Sequence, residues 1–178
     1  MRIIAGALKG RSFNDPPRNT YNPMSEKMRG ALFNTLGDIE GLAALDPFGG
    51  TGAISFEAIS RGAASSIVIE HDKRAHANIY KNIVLLELGA EVKAIRANAS
   101  GWSDNNTERQ FDLLLMDPPY DNLQLPLIQK LIDRHVKNKS VIVMSCPGRA
   151  QPPAFAGVMP LAVKKYGDGQ LAFYRKNS

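Results

Sequence analysis

The run Asp117-Pro118-Pro119-Tyr120 closes an apolar stretch, Leu113-Leu114-Leu115-Met116, and its residue types point most directly to chemistry. An exocyclic amine on a nucleobase is a poor nucleophile because its lone pair is delocalised into the ring. An Asp117 carboxylate oxygen and the Pro118 carbonyl can accept the two amine hydrogens, favouring a geometry in which the lone pair points at an incoming methyl carbon. Pro118 and Pro119 restrict the backbone that carries those acceptors. Tyr120 offers a flat face for an unstacked base, and the carboxylate can take the released proton.

A second constellation lies in "ALDPFGGTGAISFEAISRGA", where Asp46 ends an apolar run, Phe48, Gly49, Gly50 and Gly52 form a tight turn, and a helix-like segment follows. Such a turn lets backbone approach a ligand and points free N–H groups at it. No lysine followed by Ser or Thr comes after Gly52, which excludes a Walker A phosphate loop. A dinucleotide fingerprint would set the Asp46 carboxylate against a pyrophosphate, two negative charges at close range. The acid suits a ligand that is cationic and carries an amine, as S-adenosylmethionine does. Glu70, at the end of the next apolar run, is placed to accept from the two hydroxyls of a ribose. Asn98, followed by Ala99, can pair with the edge of an adenine. Trp102 is placed either to shield that adenine or to cover the sheet edge.

These residues need a scaffold that brings strand ends together. From residue 42 onward strand-like segments (42–45, 67–69, 92–95, 113–116, 141–145) alternate with helix-like ones (52–61, 73–88, 123–134). That alternation predicts an α/β fold with a mostly parallel, doubly wound sheet, whose ligands lie outside the carboxyl ends of the strands. Pro147, Pro152, Pro153 and Pro160 rule out a regular helix over most of 147–160. Segments 162–166 and 171–174 flank Gly167-Asp168-Gly169, a hairpin signal that predicts an antiparallel closing pair. At the front, 2–6 reads as a short strand and 10–23 as a loop. Asn22 and Pro23 read as the N-cap and first position of a helix that ends near Gly37.

Of 178 residues, the first thirty hold six basic side chains (Arg2, Lys9, Arg11, Arg18, Lys27, Arg29) against Asp15 and Glu26, so most of the net charge of +5 sits at one end. A clustered positive arm is the footprint of a protein that touches phosphates. The RNA-contact candidates are Arg2, Lys9, Arg11, Lys27 and Arg29. A single cysteine, Cys146, gives neither a disulfide framework nor a metal-site spacing and reads as a small core residue. No segment approaches the ~20 apolar residues of a membrane span and no signal-peptide pattern opens the chain, so a cytoplasmic, monomeric protein is expected.

On "MRIIAGALKGR", "SEKMRGALFNTL", "LDPFGGTGAISFEAISRGA", "IVIEHD", "DLLLMDPPY" and "KKYGDGQLAFYRK", the chain resembles the methyltransferases that act on a guanine N2 amine in small-subunit (16S) ribosomal RNA, the RsmD type. The resemblance implies one domain over 1–178, with a basic extension over 1–24 and a Rossmann-like seven-strand methyltransferase sheet over 25–178. It implies S-adenosylmethionine as cofactor, held by Asp46, Gly50, Gly52, Glu70 and Asn98 together with Phe48, Gly49 and Ala99. It places the target amine at Asp117 and Tyr120, with ribosomal RNA as partner, and the small accessory surface of the chain favours RNA presented within a small-subunit particle. Asn22-Pro23-Met24 stands where Arg-Pro-Thr is expected, and Asn98 where an aspartate is common. Two other readings stay open: an adenine-N6 methyltransferase on DNA or RNA, which the same Asp-Pro-Pro-Tyr geometry serves, and a non-catalytic RNA-binding assembly factor.

Overall fold

The computed structural model describes residues 1–16 and 22–178, so Arg18 and the middle of the loop read over 10–23 lie outside the described residues. The chain packs as two compact units, Met1–Ala99 and Ser100–Ser178. Its strands make up a mostly parallel seven-strand sheet with an antiparallel C-terminal hairpin, in the order β3-β2-β1-β4-β5-β7-β6.

The first unit opens with the N-terminal arm, which folds back on itself through an isolated antiparallel bridge, Arg2 to Ser12, rather than forming the expected strand over 2–6. The Ile3 amide donates to Arg11 O at 3.0 Å and the Gly10 amide to Ile3 O at 2.9 Å. Ile3 and Phe13 are buried in the same apolar cluster as Phe56, Val68, Ile79 and Leu86. A bridge suffices because these two side chains fasten the arm by burial.

Helix α1 (Glu26–Leu36) is capped by Ser25, whose Oγ accepts from the Met28 amide at 3.1 Å. The expected Asn22–Pro23 start is therefore corrected by three residues, because a Ser hydroxyl reaching the third amide onward satisfies an orphan donor directly. Gly37 ends the helix as expected. Strand β1 (Ala43–Asp46) leads into α2 (Ala53–Ser60), β2 (Ser65–Glu70), α3 (Lys73–Leu86) and β3 (Val92–Arg96). β2 pairs parallel with β1, Asp46 opposite Val68, and with β3, Glu70 opposite Arg96. Nearly every residue of α2 is buried, which marks an interior helix.

The second unit contains all but the first residue of α4 (Ala99–Asp104), with β4 (Phe111–Met116), α5 (Leu125–His135), β5 (Val136–Pro147), β6 (Val158–Tyr166) and β7 (Gly169–Lys176). β4 and β5 are parallel, and β7 is antiparallel to both β5 and β6. Pro160 sits in β6 at the end of the strand order, where a missing N–H is tolerated. Trp102 is 5% exposed and packs its ring 5.0 Å from that of His135 and 6.3 Å from that of Phe111, so it is a core residue of α4. His135 is buried and bridges Arg109 O (2.7 Å, Nδ1) and Ser103 Oγ (2.8 Å, Nε2), with burial lowering its pKa. The neutral ring satisfies both contacts by donating from Nδ1 and accepting at Nε2.

Candidate active site

In the first unit, β1 delivers Asp46 into the glycine turn, and the turn delivers its backbone to the start of α2. Asp46 is 1% exposed and its Oδ2 accepts from Ser55 Oγ at 3.3 Å, while Ser66 Oγ donates to Ser55 Oγ at 2.8 Å. Asp46 is thus a buried carboxyl at the end of β1, directly ahead of the turn. Gly49 is required by space, since a Cβ there would lie 2.6 Å from Val68 Cγ2 and 3.0 Å from the Ile69 carbonyl. Gly52 is required by conformation, at φ +78°, and a Cβ would meet the Phe56 ring at 2.7 Å. Phe48 is half-buried at the mouth of the turn.

Glu70 ends β2 and is 4% exposed. Its Oε2 accepts the Gly50 amide at 2.8 Å and its Oε1 the Asp72 amide at 2.7 Å, with His71 Nδ1 3.3 Å from Oε1. The acid read as a ribose acceptor therefore also fixes the glycine turn. Asn98 lies exposed beyond β3, with buried Ala99 next to it opening α4. Buried acids at two strand ends around an amide-rich turn form a donor and acceptor set suited to a cationic ligand with hydroxyls, which S-adenosylmethionine satisfies.

In the second unit, β4 brings its buried run directly to Asp117. Burial pushes the Asp117 carboxyl above its ordinary pKa, with a hydrogen bond from Ser145 pulling the other way. Ser145 Oγ donates to Asp117 Oδ1. Pro118 is buried, while Pro119 and Tyr120 are exposed, Tyr120 at 40% of its surface. Burial likewise raises the Tyr120 phenol. Cys146, next to Ser145, is fully buried, in keeping with a core cysteine.

The arm differs from its sequence reading in how its cations are used. Arg29 was expected at RNA but is fully buried, its Nη2 donating to Arg2 O at 2.7 Å and its Nε 3.6 Å from Glu57. Burial lowers its pKa, with the nearby Glu57 carboxylate offsetting only part of that shift. Glu57 itself accepts the Ile4 and Ala5 amides and pairs with Arg61, so this buried carboxylate ties the arm to α2. Arg11 donates to the Leu85 and Leu86 carbonyls at the end of α3, and Arg2 pairs with Glu26 at 2.9 Å. Lys9 and Lys27 are exposed. Sequence reasoning missed Glu57 and Ser145. The signal for Ser145 was a lone hydroxyl ending the apolar run Val141-Ile142-Val143-Met144. Among the described residues no cluster of His, Cys, Asp and Glu is arranged to hold a metal, and no helix is long and apolar enough to cross a membrane.

A family model described as Conserved hypothetical protein 95 matches residues 1–175. The Bacillus subtilis (strain 168) protein YlbH is 29% identical, over 99% of this chain and 99% of that protein. Ribosomal RNA small subunit methyltransferase D of Buchnera aphidicola subsp. Baizongia pistaciae is 33% identical, over 78% of this chain and 69% of that protein. The chain spans 62% and 60% of two further proteins of that name, from another Buchnera strain and from Escherichia coli K12. The solved structure of Escherichia coli yhhF superposes with a TM-score of 0.87 at 26% identity, covering 99% of this chain and 98% of that one.

Proposed function

We infer a function from this premise: the chain belongs to the Conserved hypothetical protein 95 family and is related to the ribosomal RNA small subunit methyltransferases D. It is an S-adenosylmethionine-dependent RNA methyltransferase. Its target is the exocyclic N2 amine of a guanine in small-subunit ribosomal RNA, met within a small-subunit particle. The observation that carries the chemistry is Asp117, a partly buried carboxylate at the end of β4, followed by buried Pro118 and exposed Tyr120.

The glycine turn at residues 49–52, Phe48, Asp46, Glu70, Asn98 and Ala99 hold the cofactor. Glu70 accepts from hydroxyls, and the Asp46 charge favours a cationic group. When bound, the cofactor supplies an electrophilic methyl carbon on a sulfonium and leaves as a neutral thioether. Asp117 and the Pro118 carbonyl accept the two amine hydrogens, which draws the nitrogen lone pair out of conjugation. Tyr120 stacks on the displaced base. After nitrogen–carbon bond formation the amine is acidic, and Asp117 takes its extra proton. Lys9 and Lys27 contact phosphates from the arm. The chain works in the cytoplasm as a monomer.

The test is transfer of label from methyl-labelled S-adenosylmethionine to small-subunit ribosomal RNA, presented naked and as a particle. Calorimetric titration of the cofactor runs alongside. Binding together with transfer supports the reading. Binding to RNA with no cofactor heat and no transfer would make the chain an assembly factor instead.

A further inference from the structure

Strands β4 and β5 run parallel with Met116 opposite Met144. Asp117, the first residue beyond β4, and Ser145, which continues within β5, therefore lie side by side. Ser145 is fully buried, and its backbone sits in an inner strand, opposite Leu171 of β7. Its hydroxyl donates to Asp117 Oδ1, and no other hydrogen bond to the Asp117 carboxylate forms among the described residues.

We propose that Ser145 is a positioning residue: its hydroxyl locks the Asp117 side chain so that Oδ2 alone is presented to the target amine. The inference rests on the amine-aligning role of Asp117 given above. An Asp carboxylate at the end of a strand can turn about χ1 and χ2, and each misaligned rotamer removes one of the two acceptors that pull the amine out of plane. A buried donor on the neighbouring strand removes that freedom before substrate arrives, so the orienting cost is met in folding rather than at each turnover. It also leaves one carboxylate oxygen satisfied and one open, which makes the incoming N–H the missing partner. The same hydroxyl lies within reach of the Tyr120 phenol and offsets part of the upward push of burial on it.

The test compares the parent, Ser145→Ala, Ser145→Cys, Asp117→Ala and the Ser145→Ala/Asp117→Ala double variant. Each is assayed by single-turnover methylation of small-subunit particles at saturating cofactor, with cofactor affinity from calorimetry. Ser145→Cys fills nearly the same space with a weak donor, which keeps the test sound if the smaller alanine disturbs the strand. Both single Ser145 variants are expected to lose between about 10- and 100-fold in rate, the scale of a slightly misplaced orienting group. Their cofactor affinity should match that of the parent, a split that general loosening of the fold would not give. In the Asp117→Ala background, removing the hydroxyl should cost nothing further, because there is no carboxylate left to hold. The inference is overturned if Ser145→Cys turns over at the parent rate, or if the Ser145→Ala loss is the same with and without Asp117. An Asp117→Ala enzyme as fast as the parent would instead remove the amine-aligning reading itself.

Discussion

Glu70 Oε2 accepts the Gly50 amide at 2.8 Å, so the acid at the end of β2 and the turn at the end of β1 are fixed to each other by one hydrogen bond. The carboxylate proposed to hold the cofactor ribose is also the group that shapes the loop under it. Glu70→Ala should therefore weaken cofactor binding by roughly 1.5–3 kcal/mol, the range for a hydrogen bond to a charged group. Glu70→Gln, which keeps an acceptor, should lose less. Calorimetric titration checks both, and an unchanged dissociation constant in folded Glu70→Ala removes Glu70 from the site.

The arm separates into cations that face solvent and cations that hold the fold. Replacing Lys9 and Lys27 with alanine should flatten the log–log salt dependence of RNA binding by about 1–2 units if both meet phosphates, without moving the melting temperature. Arg29→Ala should leave Glu57 poorly compensated, at the lower end of roughly 3–5 kcal/mol for a broken buried pair because Arg61 still contacts it. Urea melts and salt titrations of RNA binding distinguish the two classes. A salt slope equal to the parent's in the lysine variant would take the arm out of the substrate site.

Burial raises the Asp117 carboxyl above the ordinary carboxylate value of about 3.9. A carboxyl whose folded pKa exceeds its unfolded one favours folding at low pH, and that contribution is lost as pH rises through the folded value. Asp117→Asn, which carries no charge, should thus be more stable than the parent at pH 7.5, with the difference shrinking by pH 4. Thermal melts at the two values check the sign. Activity of the parent should fall as pH drops through the same raised pKa, because the protonated carboxyl loses an acceptor.

Much of this was legible before the fold. The run from Leu113 to Tyr120 announced a buried strand ending in constrained acceptors, and the glycines after Asp46 announced a turn whose backbone conformation the structure requires. What escaped reading depended on contacts between distant residues. Arg29 looked like one more surface cation because its partner Glu57 belongs to a different helix. Ser145 meets Asp117 only through the β4–β5 register, which no local spacing reveals. Helix α4 has six residues, too few to show a period of 3.6. The first part of β5, Lys137-Asn138-Lys139, is polar and exposed, so it hid the strand's true start.

The most direct measurement of the central claim is nucleoside mass spectrometry of small-subunit ribosomal RNA after reaction with methyl-labelled S-adenosylmethionine, for the parent and Asp117→Ala. The account predicts label in N2-methylguanosine at a single site with the parent. With Asp117→Ala it predicts a single-turnover rate at least ~100-fold lower at nearly unchanged cofactor affinity. Label in N6-methyladenosine, or equal labelling by the two proteins, would contradict it.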